Sequence, residues 1–245
     1  MLSLSLAASD SVHELAFLQC LSGHSRPSHP ISAVLYTPDN SSYSSVLESY
    51  IRNLRFNTPA TPKLCLIITA THESHKQAAV ICSKKHGLEI KIQSGDHDYE
   101  GMSYVSDAPF VILDMFNLRS ISVDIEDESA WVQAGATSGE IYYRIAEKSK
   151  THVFPSGTCV TVGAGGHFSG GRYGNIMRKY GFSVDNILDA QLVDNIFFGY
   201  KLGLDLRALR VVISFNNIGL RPNHVNHCVL FLFDLFFSSY YYSLS

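Results

Sequence analysis

The sequence predicts an α+β fold in which short strands alternate with helices around two glycine-rich turns. Apolar runs such as residues 110–114 have the length and composition of buried strands. Amphipathic stretches between them carry helix start and stop signals. The two turns, at residues 93–101 and 154–171, concentrate glycine together with histidine and one cysteine. They are where we expect the chemistry of the chain.

Composition places few limits on function. The 245 residues permit one or two domains with a hydrophobic core. A formal net charge of −3 and a pI near 6.4 give no sign of a nucleic-acid or membrane-surface footprint. The apolar run at 229–242 is too short to span a bilayer and is interrupted by Asp234. We therefore predict no nucleic-acid partner and no membrane span.

The first predicted elements are a strand, a helix and a second strand. Residues 64–69 form a short apolar run, and Thr71 can cap a helix that continues to Lys85. Gly87 then ends the helix, and residues 89–92 resume as a strand. His72 and His75 in this region suggest a metal pair, but without a third ligand nearby a surface helix is the favoured interpretation.

The next elements are buried strands at residues 110–114 and 130–134 and a helix that opens at Ser138. This helix is amphipathic through Ile145, and we expect Tyr142 and Tyr143 on its core-facing side. No G-x-G-x-x-G lies between a strand and a helix, which disfavours a Rossmann nucleotide site.

The segment 154–171 places six glycines around Cys159 and His167. Because glycine offers no side chain to bury, we expect neither a well-packed helix nor a strand here. A loop of this kind lets backbone N–H groups approach a ligand, and such arrays favour anions. A flexible linker is the alternative, which the embedded Pro155 and Phe168 weaken.

The turn at 93–101 reads Gln-Ser-Gly-Asp-His-Asp-Tyr-Glu-Gly. Together the two turns resemble those of the berberine bridge enzyme-like FAD-linked oxidases of plants, which share the p-cresol methylhydroxylase and vanillyl alcohol oxidase type of flavin fold. That family writes them as R-S-G-G-H-D-Y-E-G and P-x-G-x-C-x-T-V-G-x-G-G-H-x-S-G-G-G-Y-G. The resemblance runs from Cys20 to Asp194. It implies an FAD-binding domain of the p-cresol methylhydroxylase type, with two α/β subdomains, truncated before the substrate domain.

The resemblance also implies a function and a site. An FAD-dependent oxidoreductase would oxidise an alcohol or amine carbon of a small-molecule substrate by hydride transfer, with O₂ as acceptor, as a monomer. The FAD would be bicovalent, with His97 bonded to the 8α-methyl carbon and Cys159 to C6. His167 would lie near the ribityl chain, and Val162 would control oxygen access. Further implied cofactor-binding positions are Ser94, Gly95, Asp96, Ser156, Gly157, Gly163, Gly165 and Gly166. No catalytic base and no metal site are predicted.

Three positions depart from the family pattern. Gln93 stands where the family has Arg, and Asp96 stands where it has Gly. A carboxylate close to the FAD diphosphate would be repulsive. Arg172 replaces the third Gly of a Gly-Gly-Gly run, where it could restore positive charge or obstruct close backbone approach. The sequence leaves both alternatives open.

Three features bear on compartment. The resemblance implies a disulfide between Cys20 and Cys82, although five cysteines alone define no unique connectivity and leave buried thiols as the alternative. Asn40 opens an N-glycosylation sequon. Residues 1–19 resemble a signal region without its positive start, or else form a free N-terminal segment. We expect the secretory pathway, ending outside the cell, in the cell wall or in the vacuole.

The predicted domains are residues 1–19 as a remnant signal region, 20–58 as the N-terminal segment, 59–194 as the FAD-binding domain and 195–245 as a hydrophobic tail outside the family. The tail shows neither helical nor strand periodicity, which suggests read-through or a mispredicted gene. Two alternatives to an oxidoreductase remain open: a catalytically inactive flavin-domain fragment and a secreted non-enzymatic protein. The sequence does not predict the substrate.

Overall fold

The structure is a computed structural model, and it describes residues 2–49, 51, 53–58, 66–191, 210–214 and 216–217. The described residues divide into two compact units, with the boundary between Asn117 and Leu118. Each unit has its own four-stranded sheet and its own hydrophobic core. They are therefore described one at a time.

The first unit contains a mixed sheet with strand order β1-β2-β4-β3. Strands β2 and β3 run parallel to β4, while β1 pairs with β2 in the antiparallel direction. The predicted strands are present, and residues 64–65 of the first prediction lie outside the described residues. The elements are α1 (Leu2–His24), β1 (Leu35–Tyr36), α2 (Tyr43–Glu48), β2 (Leu66–Thr69), α3 (Glu73–His86), β3 (Glu89–Gln93) and β4 (Phe110–Asp114).

Strand β4 lies at the centre of this unit. All five of its residues are buried, as expected for a parallel strand covered on both faces. Helix α3 supplies the crossover that a parallel pair requires, between β2 and β3. The core around β4 consists of Tyr43, Ile67, Tyr104, Phe110 and Ile112.

The start of α3 differs from the prediction. The N-cap residue is His72 and not Thr71, because the His72 ring accepts from the Ser74 N–H at 3.1 Å. The surface-helix interpretation is wrong for His75, which is 1% exposed. Its Nε2 lies 2.9 Å from the His29 carbonyl oxygen, so this imidazole ties α3 to the preceding loop. The predicted stop is confirmed: Gly87 has a φ of +66°.

A disulfide joins α1 to α3. It links Cys20 and Cys82, the pair that the resemblance implied, with the Cα atoms 5.9 Å apart. His24 Nδ1 lies 3.7 Å from each sulfur. Among the described residues these three side chains are the one group close enough to hold a metal ion, but the disulfide engages both sulfurs. No helix in the described ranges combines the length and apolarity needed to cross a membrane.

The second unit contains an antiparallel sheet with strand order β5-β6-β9-β8 and a two-stranded pair of β7 with β10. Strands β9 and β10 fall in the predicted tail, for which no periodicity was expected. The elements are β5 (Ile121–Asp124), β6 (Ser129–Gln133), α4 (Ser138–Lys148), β7 (His152–Val153), α5 (Ala164–Ser169), α6 (Met177–Tyr180), β8 (Ile187–Gln191), β9 (Arg210–Ser214) and β10 (Asn216–Asn217).

Helix α4 packs one face onto the core of the second unit. Its N-terminus is a capping box, in which Thr137 and Glu140 each bond to the other's backbone. Ile141 and Ile145 are buried. The prediction that Tyr143 faces the core is wrong, because this side chain is 62% exposed. Tyr142 is half-buried and faces the glycine-rich segment.

Candidate functional site

The glycine-rich segment of the second unit is partly helical. Residues Ala164–Ser169 form α5, so the expectation that no helix packs here is wrong. The helix docks onto the chain that follows β6. The Ala164 N–H donates to the Ala136 carbonyl at 2.7 Å, and the Gly165 N–H donates to the Ala134 carbonyl at 3.1 Å. Glycine permits this approach: a Cβ at position 165 would lie 3.3 Å from that carbonyl oxygen.

His167 projects from α5 into a buried polar contact. Its Nε2 accepts from the Gly157 N–H at 3.1 Å and lies 2.6 Å from the Ser156 hydroxyl. Burial, with a smaller contribution from Arg172, lowers the pKa of His167 to about 4. The ring is therefore neutral near pH 7. Because Nε2 accepts, we infer that Nδ1 carries the proton.

The other ring nitrogen of His167, Nδ1, has an unusual environment for a polar atom. It is buried and has no hydrogen-bond partner in the part of the chain that the structure describes. A buried N–H donor without a partner is costly, and such groups normally meet protein, water or ligand. The donor is therefore suited to an acceptor atom on a bound molecule.

Cys159 lies at the exposed tip of the loop before α5. Its Sγ is 3.6 Å from the Thr161 hydroxyl. Helix α4 holds the chain on both sides of this tip. Ser138 N–H donates to the Val162 carbonyl at 2.9 Å, and the Tyr142 hydroxyl donates to the Gly157 carbonyl at 2.5 Å. The thiol is thus carried on a loop whose two ends are anchored.

The chain after α5 returns to the same loop. A Cβ at Gly174 would lie 1.8 Å from the Ser156 carbonyl oxygen, so only glycine fits there. The Ser183 hydroxyl donates to the Pro155 carbonyl at 2.7 Å. Beside the loop is an open pocket of about 400 Å³, lined by Thr158, Tyr173, Gly174, Asn175, Met177 and Arg178.

The predicted site residues of the first unit lie in the turn after β3. His97 is half-buried there, and Asp96 is 5% exposed. Asp98 closes the turn, since its carboxylate accepts from the Met102 N–H at 2.7 Å and from the Ser103 hydroxyl at 2.5 Å. Asp96 adopts a φ of +52°, a conformation that suits the glycine of the family pattern better than an L side chain.

Acidic side chains lie in this turn of the first unit and on the neighbouring strand β4. Gln93 pairs in register with Asp114 of β4, and both side chains are buried. Burial raises the pKa of Asp114 to about 6, although its carboxylate accepts from the Phe116 N–H at 2.8 Å. Gln93 contributes no positive charge that would offset this effect. The turn therefore carries more negative charge than the family pattern.

The predicted positions thus separate into two sets. Ser94, Gly95, Asp96 and His97 lie in the first unit, and the others lie in the second. The second set fits a flavin for three reasons. His167 offers a buried N–H donor without a hydrogen-bond partner among the described residues, Cys159 offers an exposed thiol, and the backbone at Gly174 leaves no space for a side chain. The first set offers His97 but also a buried carboxylate. Sequence reasoning did not predict that Ser138, Tyr142, Ser183 and Asp98 hold the two turns. Asp98 lies within the first motif, but the motif gives no bonding role to its side chain.

Comparison with known proteins identifies the family. The family model described as an FAD binding domain matches residues 65–195. Berberine bridge enzyme-like 8 of Arabidopsis thaliana is 60% identical over 190 residues, which are 77% of this chain and 36% of that protein. Tetrahydroberberine oxidase of Berberis wilsoniae is 56% identical over 194 residues, 79% of this chain and 36% of that protein. The chain spans about a third of the length of these curated relatives.

Solved structures agree with this assignment. A berberine bridge enzyme-like protein from Arabidopsis thaliana, number 28 of its series, superposes with a TM-score of 0.70 at 38% identity. It is matched over 82% of this chain and 42% of its own. The grass pollen allergen Phl p 4, described as having glucose dehydrogenase activity, gives a TM-score of 0.71 at 36% identity, over 82% of this chain and 44% of its own.

Proposed function

Because this chain belongs to the FAD-binding domain family, and within it to the berberine bridge enzyme-like proteins, we propose that it binds FAD covalently as the flavin part of an oxidoreductase. When bound, the flavin supplies an acceptor for a hydride from an alcohol or amine carbon, and O₂ then takes the electrons. The substrate is a small molecule. Relatives described as a tetrahydroberberine oxidase and a glucose dehydrogenase define the two substrate classes to test first.

The main support for this proposal is the buried Nδ1 of His167, which has no hydrogen-bond partner among the described residues. The other ring nitrogen, Nε2, accepts from the Gly157 N–H, and this bond fixes both the position and the tautomer of the ring. The lowered pKa keeps the imidazole neutral, and it can donate to a cofactor without adding a charge. Phe168 and Phe154 pack edge to face beside it and exclude water from this side.

Two further side chains supply the proposed attachment points. A neutral His97 imidazole is a competent nucleophile near pH 7. The Cys159 thiol is exposed at an anchored loop tip, where a ring carbon can reach it. Two attachments would fix the flavin against the backbone that Gly157 and Gly163 provide. Val162 is half-buried beside this loop, and we propose it as the position that controls oxygen access.

Retention of flavin by the denatured chain tests the proposal. The full chain would be purified, its visible spectrum recorded, and flavin fluorescence measured after acid precipitation. We expect yellow protein whose flavin survives precipitation in His97→Ala and in Cys159→Ala, but not in the double variant. His13→Ala is the matched control, since His13 is exposed and lies outside the turn.

The outcomes separate the alternatives. Flavin retention with peroxide release on glucose or a tetrahydroberberine supports an oxidoreductase. Flavin retention without turnover on any alcohol or amine supports an inactive flavin-binding chain. A folded, colourless chain rejects the proposal. Size-exclusion chromatography tests the accompanying proposal that the chain is a monomer.

We also propose that the chain enters the secretory pathway. The Cys20–Cys82 disulfide favours an oxidising compartment. Asn40 is exposed, although its side chain carbonyl accepts from the Ser42 N–H at 2.8 Å. Expression in plant cells should yield chain that shifts in mass with a glycosidase, and Asn40→Gln should remove the shift. A cytosolic chain with reduced cysteines would contradict this.

A further inference from the structure

Helix α4 holds the Cys159 loop from one side of the second unit. Its first turn contacts the residues after the thiol: Ser138 N–H donates to the Val162 carbonyl and Gly139 N–H to the Val160 carbonyl, both at 2.9 Å. One turn further along, the Tyr142 hydroxyl donates to the Gly157 carbonyl at 2.5 Å. Cys159 lies between these anchored points.

The two anchors differ in chemistry. The contacts to Val160 and Val162 come from backbone N–H groups, and they follow from the helix N-terminus itself. They are supported by close approach, because a Cβ at Gly139 would lie 2.8 Å from the Val160 Cβ. On the other side of Cys159, the helix reaches the loop through the Tyr142 side chain and, more weakly, through the Ser138 hydroxyl, which lies 3.5 Å from the Ser156 hydroxyl. The Tyr142 anchor can be removed by deleting one oxygen atom.

We propose that Tyr142 is the positioning residue for flavin attachment at Cys159. Its ring is half-buried and its hydroxyl is committed to the Gly157 carbonyl, two residues before the thiol. This hydrogen bond is made to the backbone of the loop and not to the thiol. Tyr142 acts by fixing the direction in which the loop presents Sγ.

The attachment itself balances as an oxidation. Sγ of Cys159 would bond to ring carbon C6, and the thiol and C6 would each lose one hydrogen. These two hydrogens and two electrons would pass to O₂, giving H₂O₂. The step is sensitive to position because the thiol must meet one carbon of a rigid ring. This inference rests on the proposed flavin binding.

The Tyr142→Phe variant tests the inference, with Tyr143→Phe as its matched control. Tyr143 is the neighbouring residue of the same helix, is 62% exposed, and its ring contacts the Arg144 guanidinium. Apo chain would be mixed with FAD in air, and the flavin peptides containing His97 and Cys159 would be quantified by mass spectrometry over time. We expect attachment at Cys159 to be about fivefold slower in Tyr142→Phe, as loss of one neutral hydrogen bond predicts.

The ratio of the two attachments distinguishes positioning from general destabilisation. A merely structural loss would slow attachment at His97 and at Cys159 together, whereas the inference requires His97 to be unaffected. Equal rates at Cys159 in wild type and Tyr142→Phe would overturn it. Absence of flavin from every chain would instead reject the proposed function.

Amide exchange decides the role of Tyr142 even without flavin. In the apo chain, Tyr142→Phe should lower the protection of the Gly157 amide, which donates to His167 Nε2, and Tyr143→Phe should leave it unchanged. Unchanged protection in Tyr142→Phe would overturn the inference. The variant is expected to fold, because only a hydroxyl is removed and Ile141 and Ile145 keep the helix on its core.

Discussion

The two glycine-rich turns are held in place by different kinds of contact. In the second unit, the turn accepts hydrogen bonds from Tyr142 of α4 and from Ser183 and donates one to His167, and a contact at Gly174 excludes any side chain. In the first unit, the turn closes on the carboxylate of Asp98. It also bears the buried Asp96 in a glycine-type conformation.

The two turns therefore differ in what they offer a cofactor, which is a fixed backbone shape in the second and charged side chains in the first. The second turn offers a fixed surface with a neutral donor at His167 Nδ1. The first turn offers His97 among carboxylates, with a neutral residue at Gln93. We therefore expect backbone geometry to govern cofactor binding in the second unit and electrostatics to govern it in the first.

The largest expected effect is on the shape of the second turn. Gly174→Ala places a methyl group 1.8 Å from the Ser156 carbonyl oxygen, and backbone cannot yield as a side chain can. We expect a loss of about 3 kcal/mol or more in the free energy of unfolding, at the upper end of overpacking costs. Urea denaturation followed by circular dichroism measures it.

Substitutions at two other glycines provide comparisons for this prediction. At Gly166, within α5, an added Cβ has nothing within 4 Å, so Gly166→Ala should stabilise by up to ~1 kcal/mol. At Gly101 of the first turn, a Cβ meets the Phe56 ring at 2.7 Å with a φ of +70°. The ring can move, and we expect Gly101→Ala to cost less than Gly174→Ala. Equal midpoints for all three would show that the second turn is not rigid.

The pH response should have opposite signs in the two units. The pKa of Asp114 is raised to about 6 by burial, so the folded first unit binds more protons than the unfolded chain between about pH 4 and 6. Its stability is therefore highest below this range and falls as the pH rises through it. The pKa of His167 is lowered to about 4, so the second unit loses stability as the pH falls from 6.5 towards 4. Each effect is on the order of 3 kcal/mol.

Amide exchange, corrected for its intrinsic pH dependence, measures the two units separately. Asp114→Asn keeps an oxygen for the Phe116 N–H and should remove the decline of the first unit between about pH 4 and 6. His167→Gln should remove the decline of the second unit in acid. If the wild type and each variant show the same pH profile, these two groups do not control the units.

The sequence predicted more of the fold than of the site. Strands β2 to β4 and helix α4 followed from hydrophobic pattern, since burial of apolar side chains decides them. The helix at Ala164–Ser169 was missed because glycine propensity opposed it, while docking of Gly165 onto the Ala134 carbonyl stabilises it. Tyr142 and Ser183 act through single hydrogen bonds to distant carbonyls. No periodicity encodes such contacts, so only the structure reveals them.

The charge of the first turn should limit flavin binding. Replacing Asp96 by Gly removes a carboxylate and relieves a left-handed conformation. We expect flavin content per chain to rise about fivefold, as removal of ~1 kcal/mol of charge repulsion predicts. The absorbance ratio at flavin and protein wavelengths in purified full-length chain measures it.

Asp96→Asn separates the two causes, because Asn tolerates a positive φ but carries no charge. If charge is the limit, Asn and Gly should raise flavin content equally. If the backbone is the limit, only Gly should do so. Unchanged flavin content in both variants would contradict the expectation that electrostatics govern cofactor binding at the first turn.

The smallest expected effect concerns how each unit caps its principal helix. Helix α4 begins with the Thr137 and Glu140 capping box, whereas α3 begins with the ring of His72. Burial, and then the positive charge of stacked His29, lowers the pKa of His72. A protonated ring cannot accept from the Ser74 N–H, so this cap is present above the unfolded pKa and is lost as the pH falls.

An Asn at position 72 would accept the same N–H at any pH, and it is among the best N-cap residues. His72→Asn should therefore raise the free energy of unfolding by a few tenths of a kcal/mol, up to ~1, with the larger gain in acid. Thr137→Ala, the control, should cost ~1 kcal/mol at every pH, because its cap does not titrate near neutrality. Urea midpoints at pH 5 and pH 7.5 compare the two. A gain from His72→Asn that is the same at both values would mean that protonation of the imidazole does not weaken this cap between pH 5 and pH 7.5.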